Sequence, residues 1–181
     1  HPLIAMAKAP FTLAGKQAIR NERFLMSKYL LNNQKIAALP VTRVQHQFND
    51  NAIRSTKTLS SATGLQRLGI HLVTICQGND STTHHYHDAD EEFIYIVSGK
   101  GTARIGEESF EVGPGDFMGF PAPSDAHSLH NPHAEDLVYL LGGEGWPVDV
   151  VHYPEIKRSM TRSHGKRAYS DWDDITEVES R

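Results

Sequence analysis

The sequence predicts an all-β protein, an antiparallel sandwich or barrel, and three observations carry that reading. Short runs rich in β-branched and aromatic residues recur at intervals of roughly eight to twelve residues, the spacing of strands joined by tight turns. Between them stand turn-forming clusters such as Ser98-Gly99-Lys100-Gly101, Gly106-Glu107-Glu108 and Gly113-Pro114-Gly115-Asp116. The longest apolar runs fall well short of the roughly eighteen residues that a membrane-spanning helix needs.

Composition sets the outer limits. At 181 residues the chain is long enough for one sizeable core with extensions. A net charge of −4 and a pI near 6.3 give no sign of a nucleic-acid partner, and no membrane partner is expected. Cys76 is the only cysteine, so no intrachain disulfide can form and a reducing, cytoplasmic compartment fits. At the end of Leu72-Val73-Thr74-Ile75-Cys76 it is expected to be a small buried residue rather than a redox thiol.

Taken in order, the chain opens with His1 where an initiator methionine is usual, and residues 1–6 read as a tag remnant or a product of processing. Residues 1–45 form an N-terminal arm, with Lys8, Lys16, Arg20, Arg23, Lys28, Lys35 and Arg43 against the single acid Glu22. Within the arm, 17–38 carries Phe24, Leu25, Tyr29 and Leu30 at helical spacing. A basic amphipathic start could be a targeting segment, but its single serine and lack of an apolar stretch favour an arm that packs on the barrel or on a partner subunit. From Val41 the pattern turns strand-like, with turns expected at Asn49-Asp50-Asn51 and Ser60-Ser61-Ala62-Thr63-Gly64. Strands follow over 68–76, 92–97, 102–105, 109–112 and 137–141, and 146–153 is expected to return along a sheet edge. The barrel spans 46–158. The tail, 159–181, changes from basic to acidic and is expected to be a solvated segment or a clamp on a second subunit.

The chemistry gathers between Gly78 and Asn131. His85 and His87 are one residue apart, so on a strand both imidazoles point to the same face. Glu92 opens the next strand after a short loop, and a hairpin return brings its carboxylate beside them. His127, in Ala126-His127-Ser128-Leu129-His130-Asn131, supplies a third imidazole. Clustered histidines are often plain surface residues, and His84, His130, His133 and Tyr86 fit that description or a supporting role. The coincidence of four spacings makes His85, His87, Glu92 and His127 a candidate metal-ligand set. Imidazole with carboxylate suits Fe, Mn, Ni, Cu or Zn and disfavours Mg and Ca. The expectation is one divalent transition metal per chain, Fe, Mn, Ni or Zn, with room beside it for a chelating substrate or for substrate and dioxygen. His71, Tyr86, Tyr95 and His130 are candidates to support the ligands or line a substrate pocket, and they are the side chains available for acid–base work.

These positions resemble a known pattern. Gly78, His85, His87, Glu92 and Gly99 are similar to the first cupin motif, with one extra residue between Gly78 and His85. Gly115, Pro121, His127 and Asn131 resemble the second, with Pro121-Ala122-Pro123 in place of Pro-x-Gly and one extra residue before His127. The phrases 65–73, 115–121 and 149–154 add a likeness to small single-domain cupins, over residues 46–158 in all. The resemblance implies a double-stranded β-helix, or jelly-roll barrel, with a partly helical N-terminal arm, a metal held by the four residues above, and a homodimer formed through sheet edges and terminal arms. It implies a metalloenzyme acting on a small oxygenated molecule, of dioxygenase or of isomerase or lyase type. The alternatives are a non-catalytic binder of a sugar or organic acid and a partner-binding protein in which the metal serves stability. Fold alone does not choose among them.

Overall fold

The computed structural model describes residues 27–176. The chain divides into two units, residues 1–30 and Leu31–Arg181, and the fold lies in the second. The helical span expected over 17–38 therefore falls partly outside the described residues, and its described part contains one short helix, α1 (Asn33–Ala38). The Asn32 side chain caps it by accepting from the Lys35 N–H, and the Lys57 ammonium donates to the carbonyls of Ile36 and Ala37 at its other end.

Thirteen strands follow among the described residues. They are β1 (Thr42–His46), β2 (Asn49–Thr58), β3 (Leu68–Ile75), β4 (Tyr86–His87), β5 (Glu92–Ser98), β6 (Gly101–Ile105) and β7 (Glu108–Val112). The rest are β8 (Phe117–Phe120), β9 (His127–His130), β10 (Leu137–Glu144), β11 (Val148–Tyr153), β12 (Arg158–Ser163) and β13 (Lys166–Asp171). A second short helix, α2 (Leu59–Thr63), lies between β2 and β3.

One sheet has six strands in the order β1-β2-β3-β10-β5-β8, and the others run β7-β6-β9 and β13-β12-β11-β4. An isolated bridge between His85 and His127 joins the two smaller sheets at the point where β4 meets β9. All strand pairs are antiparallel, and the sheets do not close into a continuous barrel. This is the double-stranded β-helix that the sequence predicts, left open at its edges.

Strand alternation explains the core. Ile94 and Ile96 on β5, Val73 and Ile75 on β3, and Leu137 and Tyr139 on β10 turn to one face, where they meet Ala103, Val112 and Leu129 from the three-stranded sheet. Burying each such aliphatic side chain is worth about 1.5–3 kcal/mol. A separate cluster of Val151, Tyr153, Met160 and Ile156 packs the four-stranded sheet.

Several expectations change. Asn49-Asp50-Asn51 is the start of β2, not a turn, because the β1–β2 hairpin turns earlier, with a register shift between Gln45 and His46. The run 60–64 forms most of α2, which Gly64 ends with a left-handed φ of 84°. The sheet begins at Thr42, within the segment assigned to the arm. Residues 158–171, expected as tail from Ser159 onward, are the hairpin β12–β13, so β11 is an interior strand between β12 and β4 rather than an edge. Cys76 is exposed, since it lies one residue past the end of β3. No helix among the described residues is long and apolar enough to cross a membrane.

Candidate metal centre

The bridge between the sheets builds the site. His85 and His127 exchange both backbone hydrogen bonds, at 3.2 and 2.8 Å, which sets their imidazoles side by side with ring centroids 4.7 Å apart. Two residues on, His87 in β4 turns to the same face as His85. Glu92 enters from the opposite sheet, where it pairs with Gly143 and Phe120 at the first position of β5. The Phe120 ring lies flat on the His127 imidazole, 3.6 Å between centroids, and fixes its plane.

Each imidazole is oriented by its outer nitrogen. His85 Nδ1 lies 3.1 Å from the Thr83 carbonyl, His127 Nδ1 3.5 Å from the Asp125 carbonyl, and His87 Nδ1 2.7 Å from Asp149 Oδ2. A carbonyl or carboxylate oxygen only accepts, so for His85 and His87 these contacts place the ring proton on Nδ1 and leave the Nε2 lone pair facing inward, whereas His127 stands between two acceptors, with Glu92 Oε2 the nearer. All three Nε2 atoms point at one carboxylate oxygen, Glu92 Oε2, at distances of 3.2 Å from His127, 3.6 Å from His87 and 3.7 Å from His85. The ligand atoms of His85, His87 and Glu92 all lie within 4.8 Å of one another, a group that could hold a metal ion.

Burial lowers the proton affinity of His85, an effect only partly opposed by the Glu92 carboxylate, so its ring is neutral. Burial alone would raise the Glu92 pKa, but the His127 contact and the His85 and His87 imidazoles outweigh it and hold the carboxyl well below its usual range. Three imidazoles and an ionised carboxylate at these distances form a ligand set that fits a divalent cation.

Asp149 supports it. Its side chain is fully buried, accepts from the Ala89 N–H at 3.0 Å as well as facing His87, and has Arg162 nearby at 3.8 Å. Asp90, which joins His87 and Asp149 in a second acidic group, is occupied by the Trp146 N–H and the Arg162 guanidinium. That group braces the first one.

The cluster opens into a cavity of about 480 Å³, large enough for a small molecule. His46, Arg54, His71, Tyr139 and Tyr153 are among the residues in its wall. Of the four residues singled out as supporting or pocket-lining, only His71 is there, with Nδ1 3.2 Å from the Thr58 hydroxyl. Tyr86 points away from His85 and His87 and stacks on His152. Tyr95 is exposed on the outer face of β5, and His130 pairs with Asp80 at the surface. His84, expected at the surface or in a supporting role, is buried with Nδ1 3.2 Å from the Ser128 hydroxyl, because alternation turns it opposite to His85. Sequence reasoning did not single out Asp149, Arg54, His46, Tyr139 or Tyr153. Strand parity was a usable signal for most of them: Arg54 is in phase with the buried Ala52, Tyr139 with Leu137, and Asp149 and Tyr153 with Val151.

Comparison with known proteins agrees with this architecture. The cupin-domain family model matches residues 71–142, which hold all four candidate ligands. A candidate sugar phosphate isomerase from Acidithiobacillus ferrooxidans is 38% identical, with 84% of this chain and 98% of that one covered and a TM-score of 0.82. The sugar phosphate isomerase of the cupin superfamily from Silicibacter pomeroyi is 23% identical, covering 82% and 96%, with a TM-score of 0.70. The polyketide cyclase RemF of Streptomyces resistomycificus is 16% identical, covering 64% and 80% at a TM-score of 0.54, and shares the fold. A comparison with curated proteins found no match. With its cupin-domain match over residues 71–142 and 38% identity across nearly the whole of the Acidithiobacillus protein, the chain belongs to the cupin superfamily.

Proposed function

We propose that the chain is a metal-dependent enzyme that rearranges a small oxygenated molecule by proton transfer, an isomerase of a sugar or its phosphate. The observation that carries this is the convergence of three imidazole Nε2 atoms on the Glu92 carboxylate, with each Nδ1 facing a carbonyl or carboxylate oxygen on the outer side. Such donors repel one another unless a cation lies among them. His85, His87, Glu92 and His127 would hold one divalent transition metal. When bound, such an ion acts as a Lewis acid on a ligand oxygen and acidifies the neighbouring C–H.

The protein's own groups do the rest. Asp149 and the Thr83 carbonyl orient His87 and His85 through Nδ1, and the Asp125 carbonyl lies on the outer side of His127, so the rings need little reorientation when a ligand arrives. His71, whose proton affinity is lowered first by burial and then by Arg54, is a neutral imidazole on the cavity wall able to accept a proton. The identity to the Acidithiobacillus protein, named for sugar phosphate isomerisation, supports the reaction class.

The test is solvent exchange. Tag-free protein loaded in turn with Fe, Mn, Ni or Zn is incubated in D₂O with aldose and ketose phosphates, and deuterium entering beside the carbonyl is followed by NMR. Metal-dependent exchange that Glu92→Gln abolishes is expected. Tight binding with no exchange under any metal would contradict the isomerase and favour a non-catalytic binder.

A further inference from the structure

Arg54 is a cation on an inner face with no anion to match it. It lies on β2 in phase with the buried Ala52 and with Thr56 and Thr58, which pair with Val73 and His71 on the cavity side of β3. A charge turned inward is costly unless paired. The arginine ion pairs among the described residues involve Arg104, Arg158 and Arg162, and none involves Arg54. Its guanidinium donates to the Ser81 carbonyl, which uses one of five N–H donors. The other cations of the wall are accounted for: Arg162 is held by Asp90, and Arg167 is exposed at the outer rim. Glu92 is the one carboxylate among the lining residues, and its Oε2 faces the imidazoles. The Arg54 charge is felt around the cavity, depressing the proton affinity of both His46 and His71 beyond what burial does.

We infer that Arg54 is the anion-recognition residue of this cavity, gripping a phosphate or carboxylate group of the ligand while the ligand's hydroxyl or carbonyl oxygens reach the His85, His87, Glu92 and His127 cluster. The planar fork of a guanidinium suits both groups bidentately. The inference rests on the reading of the cavity as a ligand site and adds the charge class of what enters it.

Metal-free protein is titrated calorimetrically at low salt with inorganic phosphate and, separately, with acetate. Binding that Arg54→Gln weakens about tenfold or more is expected. Preference for phosphate over acetate assigns a phosphorylated ligand, and the reverse order assigns a carboxylate. Arg54→Lys keeps the charge and removes the fork, so it should fold even if the Gln variant does not, and it should still lose affinity. Neither anion binding to the wild type, or binding unchanged in a folded Arg54 variant, overturns the inference. Because no metal is present, anion binding lost in the variant upholds Arg54 even if the chain proves unable to hold a metal. Metal loading with anion binding indifferent to Arg54 removes the inference and leaves the metal reading standing.

Discussion

His87 Nδ1 and Asp149 Oδ2 lie 2.7 Å apart, and the Asp149 side chain has no solvent exposure. The contact joins β4 to the neighbouring strand β11 and sets the direction in which His87 Nε2 faces Glu92. Asp149→Asn preserves the volume but offers an amide in place of the carboxylate, so His87 loses a charged anchor. Metal affinity should fall about 10–100-fold, measured by competition with a chelator. Retention of full affinity in a folded variant would show that Asp149 does not position His87.

The His-x-His pair and Glu92 were legible in the sequence because their relation is local: alternation aligns His85 with His87, and one short loop brings Glu92 back. His127 was picked out by the strand-like alternation that follows it and then by its place in the second motif, and the structure puts it beside His85 by a bridge that spans some forty residues. Asp149 and Arg54 were not singled out because each acts on the site through a distant strand, and only the β11–β4 and β2–β3 registers turn them toward it. The β12–β13 hairpin was missed because most of its side chains are exposed and polar, with only Ser159 and Met160 buried. Its turn did carry a sign. His164 and Gly165 have φ of 48° and 81°, a two-residue hairpin turn in which both central residues are left-handed.

Stability should fall on acidification. Burial first, then the Arg54 charge, lowers the His46 pKa to about 4 from an ordinary 6.5. The folded state therefore binds the proton less readily than the unfolded chain. The contribution is fully present above about pH 6.5 and is lost as pH falls toward 4. Thermal unfolding of metal-free protein across that range should show a falling Tm, and His46→Gln should flatten the slope. A slope unchanged in His46→Gln would contradict this assignment.

Ile96 is fully buried at the centre of the main core, paired with Tyr139 across β5 and β10. Ile96→Ala should cost about 2–5 kcal/mol in urea unfolding, through lost burial and the cavity left behind. A loss under about 1 kcal/mol would mean that the core collapses around the gap.

Gly99 closes the β5–β6 turn with φ of 77°, and a Cβ there would overlap the Asp136 carbonyl oxygen. The left-handed backbone alone costs a non-glycine residue about 1–3 kcal/mol. Gly99→Ala should therefore lower the Tm sharply, whereas Gly165→Ala, with the same sign of φ but open space around it, should cost less.

The most direct measurement is elemental analysis of tag-free protein after incubation with Fe, Mn, Ni or Zn and removal of excess ion, beside His85→Ala and Glu92→Gln prepared identically. The account predicts about one transition metal per wild-type chain and a substantial loss of that metal in both variants, with folding intact by circular dichroism. Equal metal content in all three proteins, or none in the wild type under any loading condition, would contradict it.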